Sequence, residues 1–111
     1  MPVRRIIKAP KYHNVKTTVD GILFDSKAEA RRYQELKLMQ RAGEVQTIGC
    51  QPSLVVAQGI RYVADFIVVG KDGKVWLEDV KGIETQAFRL KRKLYETAYP
   101  GIELRIVKGG R

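Results

Sequence analysis

The sequence is poor in the residues that build covalent and metal frameworks. Its 111 residues include one cysteine, Cys50, and one histidine, His13. A single cysteine excludes an internal disulfide and a cysteine zinc cluster. A single histidine has no second imidazole in ligand spacing, so zinc and Cys–His catalysis are set aside and His13 reads as a loop residue. Cys50 reads as a small buried filler. Walker and dinucleotide glycine fingerprints are missing, so nothing supports ATP-driven work. No apolar run is long enough to cross a bilayer. After Arg4-Arg5 only Ile6 and Ile7 precede Lys8, too little for a signal peptide. Acids are scarce as well, 12 against 21 Lys plus Arg, which leaves a formal charge of +9. So basic a chain attracts polyanions. These features predict a soluble cytosolic domain with an anionic partner, nucleic acid ahead of an anionic membrane surface.

What is present suffices for one core, since 44% of residues are hydrophobic and a chain this short does not divide. No internal repeat or low-complexity tract interrupts it. Residues 1–14 carry Arg4, Arg5, Lys8 and Lys11 with Pro2 and Pro10 and no sustained period. They read as a basic N-terminal arm, followed by a single domain over 15–111. Val15 to Val19 and Ile22 to Phe24 flank Asp20-Gly21, which predicts a hairpin. Ser26 and Glu29 form a capping box, opening a helix that runs to about Ala42 and stops at Gly43. At 100° per residue Ala28, Arg32, Leu36 and Met39 share a side, with Tyr33 at its margin; Glu29, Tyr33 and Leu36 also form one narrow stripe. The glutamate therefore lies near the core side.

Residues 45–81 read as β. Val45 to Ile48 begin a strand, Gln51-Pro52 interrupts it, and Ser53 to Ala57 continue. A turn near Gln58-Gly59 leads into a strand from Ile60 to Val69, and a turn at Lys71-Asp72-Gly73 into a strand from Lys74 to Lys81. A second helix starts near the N-cap Thr85 and ends before Pro100-Gly101, burying Phe88, Leu94, Tyr95 and Ala98. Ile102, Leu104 and Ile106 alternate in a last strand. The order predicts an α/β sandwich, a mixed sheet with helices against it.

Strand alternation then singles out two acids. Asp65 shares a face with Val63, Ile67 and Val69; Asp79 and Lys81 share one with Val75 and Leu77. Carboxylates ending apolar stripes are costly unless a cation, a metal or several donors meet them. A two-residue turn at Asp72-Gly73 would set Asp65 opposite Val80, on the face of Glu78. A three-residue loop with Gly73 in a G1 bulge pairs Gly70 with Lys74 and sets Asp65 opposite Asp79. The three-residue loop is the expected one, because it brings the charges to where one divalent ion neutralises both. Glu78 then points away, toward solvent or a basic side chain. Trp76, on that same far face, reads as core or dimer surface.

Tyr62-Val63-Ala64-Asp65-Phe66 followed by Leu77-Glu78-Asp79-Val80-Lys81-Gly82 resembles the PD-(D/E)XK nuclease signature: an acid on one strand, then acid-x-Lys on the next. Ala64-Asp65 stands where the pattern has Pro-Asp. Glu29 matches the helix acid that many members carry. Ser26 to Glu29, Asp79 to Gly82 and Thr85 to Lys93 together look like a small phage-encoded family similar to archaeal-type Holliday junction resolvases, over roughly Tyr12 to Val107. The resemblance implies a restriction-endonuclease-like fold and a structure-selective DNA endonuclease at work in the host cytoplasm. It implies Mg²⁺, with Mn²⁺ able to substitute, on Asp65, Asp79 and the Val80 carbonyl. Glu29 would bind a water of the metal shell or a second ion. Lys81 would orient the attacking water or stabilise the charged phosphorane. Paired incisions would leave 5′-phosphate ends and would need a homodimer.

Cations supply the expected grip on DNA. Arg89, Lys91, Arg92 and Lys93 crowd the second helix, with Lys91 leaning toward the site. Arg31, Arg32, Lys37 and Arg41 crowd the first. Lys16, the N-terminal arm and the Ser26 hydroxyl complete the expected contacts, which position a duplex rather than read its sequence. Two rivals remain: a general or flap-type endonuclease of the same fold, and a basic DNA-binding protein without catalysis.

Overall fold

The structure, a computed structural model, describes residues 5–7 and 15–109, and of 5–7 the backbone alone. Within the expected basic arm, Arg5–Ile7 form a strand, β1, laid parallel to a later one from Arg5↔Ile60 to Ile7↔Tyr62. A parallel partner distant in sequence leaves no local period, which is why residues 5–7 read as arm. Arg4, Lys8, Lys11 and His13 lie outside the described residues.

The hairpin forms as expected. β2 (Thr17–Val19) pairs with β3 (Ile22–Phe24) in antiparallel register, with Asp20 and Gly21 both at positive φ, 53° and 76°. Those angles are what a two-residue turn needs to match strand twist. Helix α1 (Lys27–Arg41) starts at Ser26, whose hydroxyl accepts the Glu29 N–H at 3.1 Å, and gives way at Ala42 and Gly43, the latter at φ 85°. Its buried residues are Glu29, Ala30, Tyr33 and Leu36. The narrow stripe of Glu29, Tyr33 and Leu36 is thus the core line, and Ala28, Arg32 and Met39 are only half-buried.

The strands that follow are β4 (Val45–Cys50), β5 (Ser53–Ala57), β6 (Ile60–Val63), β7 (Phe66–Gly70) and β8 (Val75–Lys81). The expected strand from Ile60 to Val69 is two strands. It breaks at Ala64-Asp65, level with the break at Gln51-Pro52 in the antiparallel partner. Pro52 has no N–H to give and Gln51 sits at φ 53°, so the ladder cannot continue there. The crossing is held by Ala64 N–H to Pro52 O at 3.1 Å and Gln51 N–H to Asp65 O at 2.9 Å. On one side of the break lies a sheet ordered β1-β6-β5; on the other lies β4-β7-β8-β9, completed by β9 (Glu103–Lys108) parallel to β8.

The loop between β7 and β8 is the three-residue one. Gly70 N–H donates to Lys74 O at 2.8 Å, Gly73 N–H to Gly70 O at 2.9 Å, and Gly73 takes φ 85°. The resulting register runs from Val69↔Val75 to Phe66↔Glu78. The ladder ends there: Asp65 lies in the bend beyond it and donates its N–H to Glu78 O at 3.0 Å, so the expected pairing of Asp65 with Asp79 is not part of the register.

β8 is covered on both faces, and every residue from Trp76 to Lys81 is buried. Alternation splits them between two cores. Trp76 and Val80 join Phe66, Val68 and the α1 residues Ala30, Tyr33 and Leu36. Leu77 joins Val56, Tyr62, Ala64 and Leu104, with Phe88 and Tyr95 from helix α2 (Gln86–Ala98). Thr85 caps α2 by accepting the Phe88 N–H at 3.1 Å. The buried line of α2 is Phe88 and Tyr95; Leu94 and Ala98, expected inside, are exposed. Tyr95 stacks on Tyr99 (centroids 5.3 Å apart) and leans on Tyr62 (5.7 Å), and these rings turn the helix away from Leu94.

Gly109 ties the chain's end to this arrangement. Its N–H donates to Lys81 O at 3.1 Å. A β-carbon there would meet Ala28 Cβ at 2.9 Å and press into Val80 Cγ1. Gly109→Ala should therefore cost about 1–3 kcal/mol, read as a lower urea midpoint with an unchanged slope.

Candidate active site

Asp65 and Asp79 are each 2% exposed, and Lys81 is 8% exposed. Three bonds fix Asp65 where its strand changes sheet. Its N–H donates to Glu78 O at 3.0 Å, its carbonyl accepts the Gln51 N–H, and its carboxylate Oδ2 accepts the Val80 N–H at 2.7 Å. That backbone N–H from β8 helps hold the carboxylate in place. Asp79 faces the α2 side of β8. Its Oδ2 accepts a hydrogen bond from the Tyr62 hydroxyl, and its Oδ1 lies 4.0 Å from Lys81 Nζ. The Lys81 ammonium also sits 4.5 Å above the Phe88 ring, so α2 supplies a face for the cation.

Both acids act on one phenol. Burial raises Tyr62 far above the usual tyrosine range, and the charges of Asp79 and then Asp65 raise it further. Tyr62 was missed at the level of sequence, where the acids alone drew notice. Its signal was a hydroxyl-bearing ring in an apolar strand, which needs a partner once buried.

Glu29 is 1% exposed and belongs to α1, which covers the other face of β8. Its turn meets β8 near Val80, since Ala28 and Val80 both border Gly109. The structure thus sets Asp79 and Lys81 on the α2 side, ties the Asp65 carboxylate to the Val80 N–H at the strand break, and carries Glu29 on the helix of the opposite face. Among the described residues, no three His, Cys, Asp or Glu side chains form a ready-made metal cage. Mg²⁺ does not require one, because it is held by one or two carboxylates together with water and phosphate oxygens. Asp65 and Asp79 suit that demand as a hard-oxygen pair.

Glu78, on the α1 face, is buried rather than solvated and meets a basic side chain. Arg32 grips it with two bonds, Nε to Oε1 at 2.8 Å and Nη2 to Oε2 at 2.9 Å, and Trp76 Nε1 donates to Oε2 at 2.9 Å. Arg105 lies 3.9 Å above the Trp76 ring. Arg32 also reaches Glu35 at 3.1 Å, so its charge is committed inside the protein rather than offered to phosphate.

The other expected contacts divide similarly. Ser26 serves as the α1 cap, Lys16 pairs with Asp25 at 3.2 Å, and Arg92 pairs with Glu84 at 3.3 Å and Glu96 at 3.4 Å. Arg31, Arg89 and Lys93 are exposed on their helices. Lys91 is half-buried, and burial lowers its pKa. Cys50 is half-buried too, packed against the α1-side core. No helix among the described residues is long and apolar enough to cross a membrane.

Two predictions follow from these burials. Arg32→Met leaves Glu78 charged and without its guanidinium, and should cost about 3–5 kcal/mol in urea unfolding, whereas the same change at exposed Arg31 should be near neutral. The second concerns alkaline pH. Burial pushes Tyr95 up to about 12, and Tyr62 is raised as well. Unfolded phenols ionise near pH 10. The stability linked to these rings is therefore complete below that pH and lost as pH rises above it. Tyrosinate absorbance should show these two rings ionising together with loss of the fold.

No curated protein and no solved structure matches the chain. A family model matches residues 9–110, and the chain belongs to the family it describes, "Protein of unknown function (DUF1064)".

Proposed function

We propose that this chain is a Mg²⁺-dependent endodeoxyribonuclease for branched DNA, a Holliday junction resolvase. One observation carries the reading: a buried carboxylate, Asp79, beside the buried ammonium of Lys81 on β8, with a second buried carboxylate, Asp65, bonded to the same strand at the Val80 N–H. Buried carboxylates next to an ammonium suit a site that takes up a dication and a phosphate. The charge of +9 supports a nucleic-acid partner.

Asp65, Asp79 and the Val80 carbonyl would hold Mg²⁺ or Mn²⁺, with Glu29 reaching the ion through water. Bound there, the ion would polarise the phosphate and lower the pKa of a coordinated water. Lys81, kept at the site by Asp79 and the Phe88 ring, orients the attacking water and stabilises charge on the phosphorane oxygens. Asp65, fastened by the Val80 N–H, holds its carboxylate still while the substrate enters. Hydrolysis in line leaves a 5′-phosphate and a 3′-hydroxyl. Arg31, Arg89 and Lys93, with the arm's Arg4, Arg5, Lys8 and Lys11, grip backbone phosphates. A four-way junction has approximate two-fold symmetry and needs two cuts; one site per protomer then calls for a homodimer.

The test is incubation with a labelled four-way junction, a linear duplex and a flap, in Mg²⁺ or in EDTA. The junction should be cut in Mg²⁺ and spared in EDTA. Asp65→Asn and Asp79→Asn should stop cutting while keeping or tightening binding, since each removes negative charge near phosphate. Lys81→Ala should lower the rate by about 100-fold or more with little change in affinity. Cutting of duplex or flap in preference to the junction would replace resolvase by general or flap endonuclease. Binding without cutting of any substrate would replace it by a non-catalytic DNA-binding protein.

A further inference from the structure

We infer that Tyr62 is a positioning residue that sets the affinity of Asp79 for a divalent cation; this rests on the nuclease reading above. Tyr62 is 2% exposed and stands on β6, in the smaller sheet, while Asp79 stands on β8 in the larger one. Its hydroxyl donates across the gap to Asp79 Oδ2. Asp79 Oδ1 faces the Lys81 ammonium at 4.0 Å. Each oxygen of the carboxylate therefore has its own partner, and the group is held in one orientation before any ion arrives.

The hydroxyl is itself held from behind. β6 pairs on both sides, Tyr62 with Leu54 of β5 and with Ile7 of β1. The Tyr62 ring leans on Tyr95 at 5.7 Å, and the Tyr95 hydroxyl donates to Ile102 O at 2.8 Å. Tyr99 stacks on Tyr95 and donates to Val55 O at 2.7 Å, which closes the chain of rings on the smaller sheet. Tyr62 thus has no free rotation by which to release Asp79.

A hydroxyl suits this task better than a second cation. It orients the carboxylate without bringing a positive charge of its own. Outer-shell partners of this kind typically change metal affinity by 10- to 100-fold when removed. Removing the Tyr62 hydroxyl takes away the bond that orients Oδ2, so an incoming ion must first reorder the carboxylate.

The experiment is titration with Mn²⁺ alone, following free ion by electron paramagnetic resonance, on the full chain and on Tyr62→Phe, Asp79→Asn and the double variant. Circular dichroism confirms the fold of each. Tyr62→Phe should bind Mn²⁺ about 10-fold more weakly or worse, and should add nothing in the Asp79→Asn background. Unchanged Mn²⁺ affinity in a folded Tyr62→Phe overturns the inference and leaves the nuclease reading standing. Failure of the unaltered chain to bind Mn²⁺ overturns both. Should Tyr62→Phe not fold, meta-fluorotyrosine placed at position 62 keeps the ring and hydroxyl. Mg²⁺ should then shift its fluorine resonance, and an unmoved resonance overturns the inference.

Discussion

Pro52 cannot donate a backbone hydrogen bond, and the rest of the molecule is arranged around that deficit. The ribbon of β4–β5 against β6–β7 is continuous in sequence but breaks on both strands at one level, Gln51-Pro52 against Ala64-Asp65. Below the break the ribbon joins the large sheet; above it the ribbon folds into the small one. The break places Asp65 at the seam and swings β6 back so that Tyr62 overhangs β8. A straight strand would have left Tyr62 further along the ladder and out of reach of Asp79.

β8 carries the electrostatic load. Glu78, Asp79 and Lys81 are all buried on one strand, and alternation sends Glu78 to the α1 side and the other two to the α2 side. Each side answers in its own way. The α1 side neutralises Glu78 with a two-pronged guanidinium and an indole N–H. The α2 side meets Asp79 with a neutral hydroxyl and an ammonium 4.0 Å off. The first arrangement is saturated and binds α1 to the strand. Buried pairs are poor evidence of stability gain, so the Arg32–Glu78 clasp is better understood as fixing how α1 meets β8.

Much of this was legible before any coordinates, where the signal was local. Asp20-Gly21 specified its turn, Ser26 its helix start, and Lys71-Asp72-Gly73 the loop that sets the β7–β8 register. The strand break did not follow, because Ala64-Asp65 looks like ordinary alternation until its partner is known to be Gln51-Pro52. The α2 face was misjudged for a related reason. Leu94 and Ala98 satisfy helical periodicity, but the neighbouring rings of Tyr62 and Tyr99 decided which side turned inward. Glu29 was correctly placed near the core by its stripe, yet one-dimensional spacing could not tell which face of the sheet its helix would cover. Tyr62 and the clasp on Glu78 both join side chains from separate elements, information that no window along the chain contains.

Trp76 gives the saturated side an optical consequence. It is the chain's lone indole, bonded to Glu78 and roofed by the Arg105 guanidinium. Indole emission from the intact protein therefore has a single address, on the α1 face of β8, across the strand from Asp79. Its wavelength and quenching track whether the helix and strand stay clasped, and a ligand settling on the front reaches that signal only by loosening what lies behind.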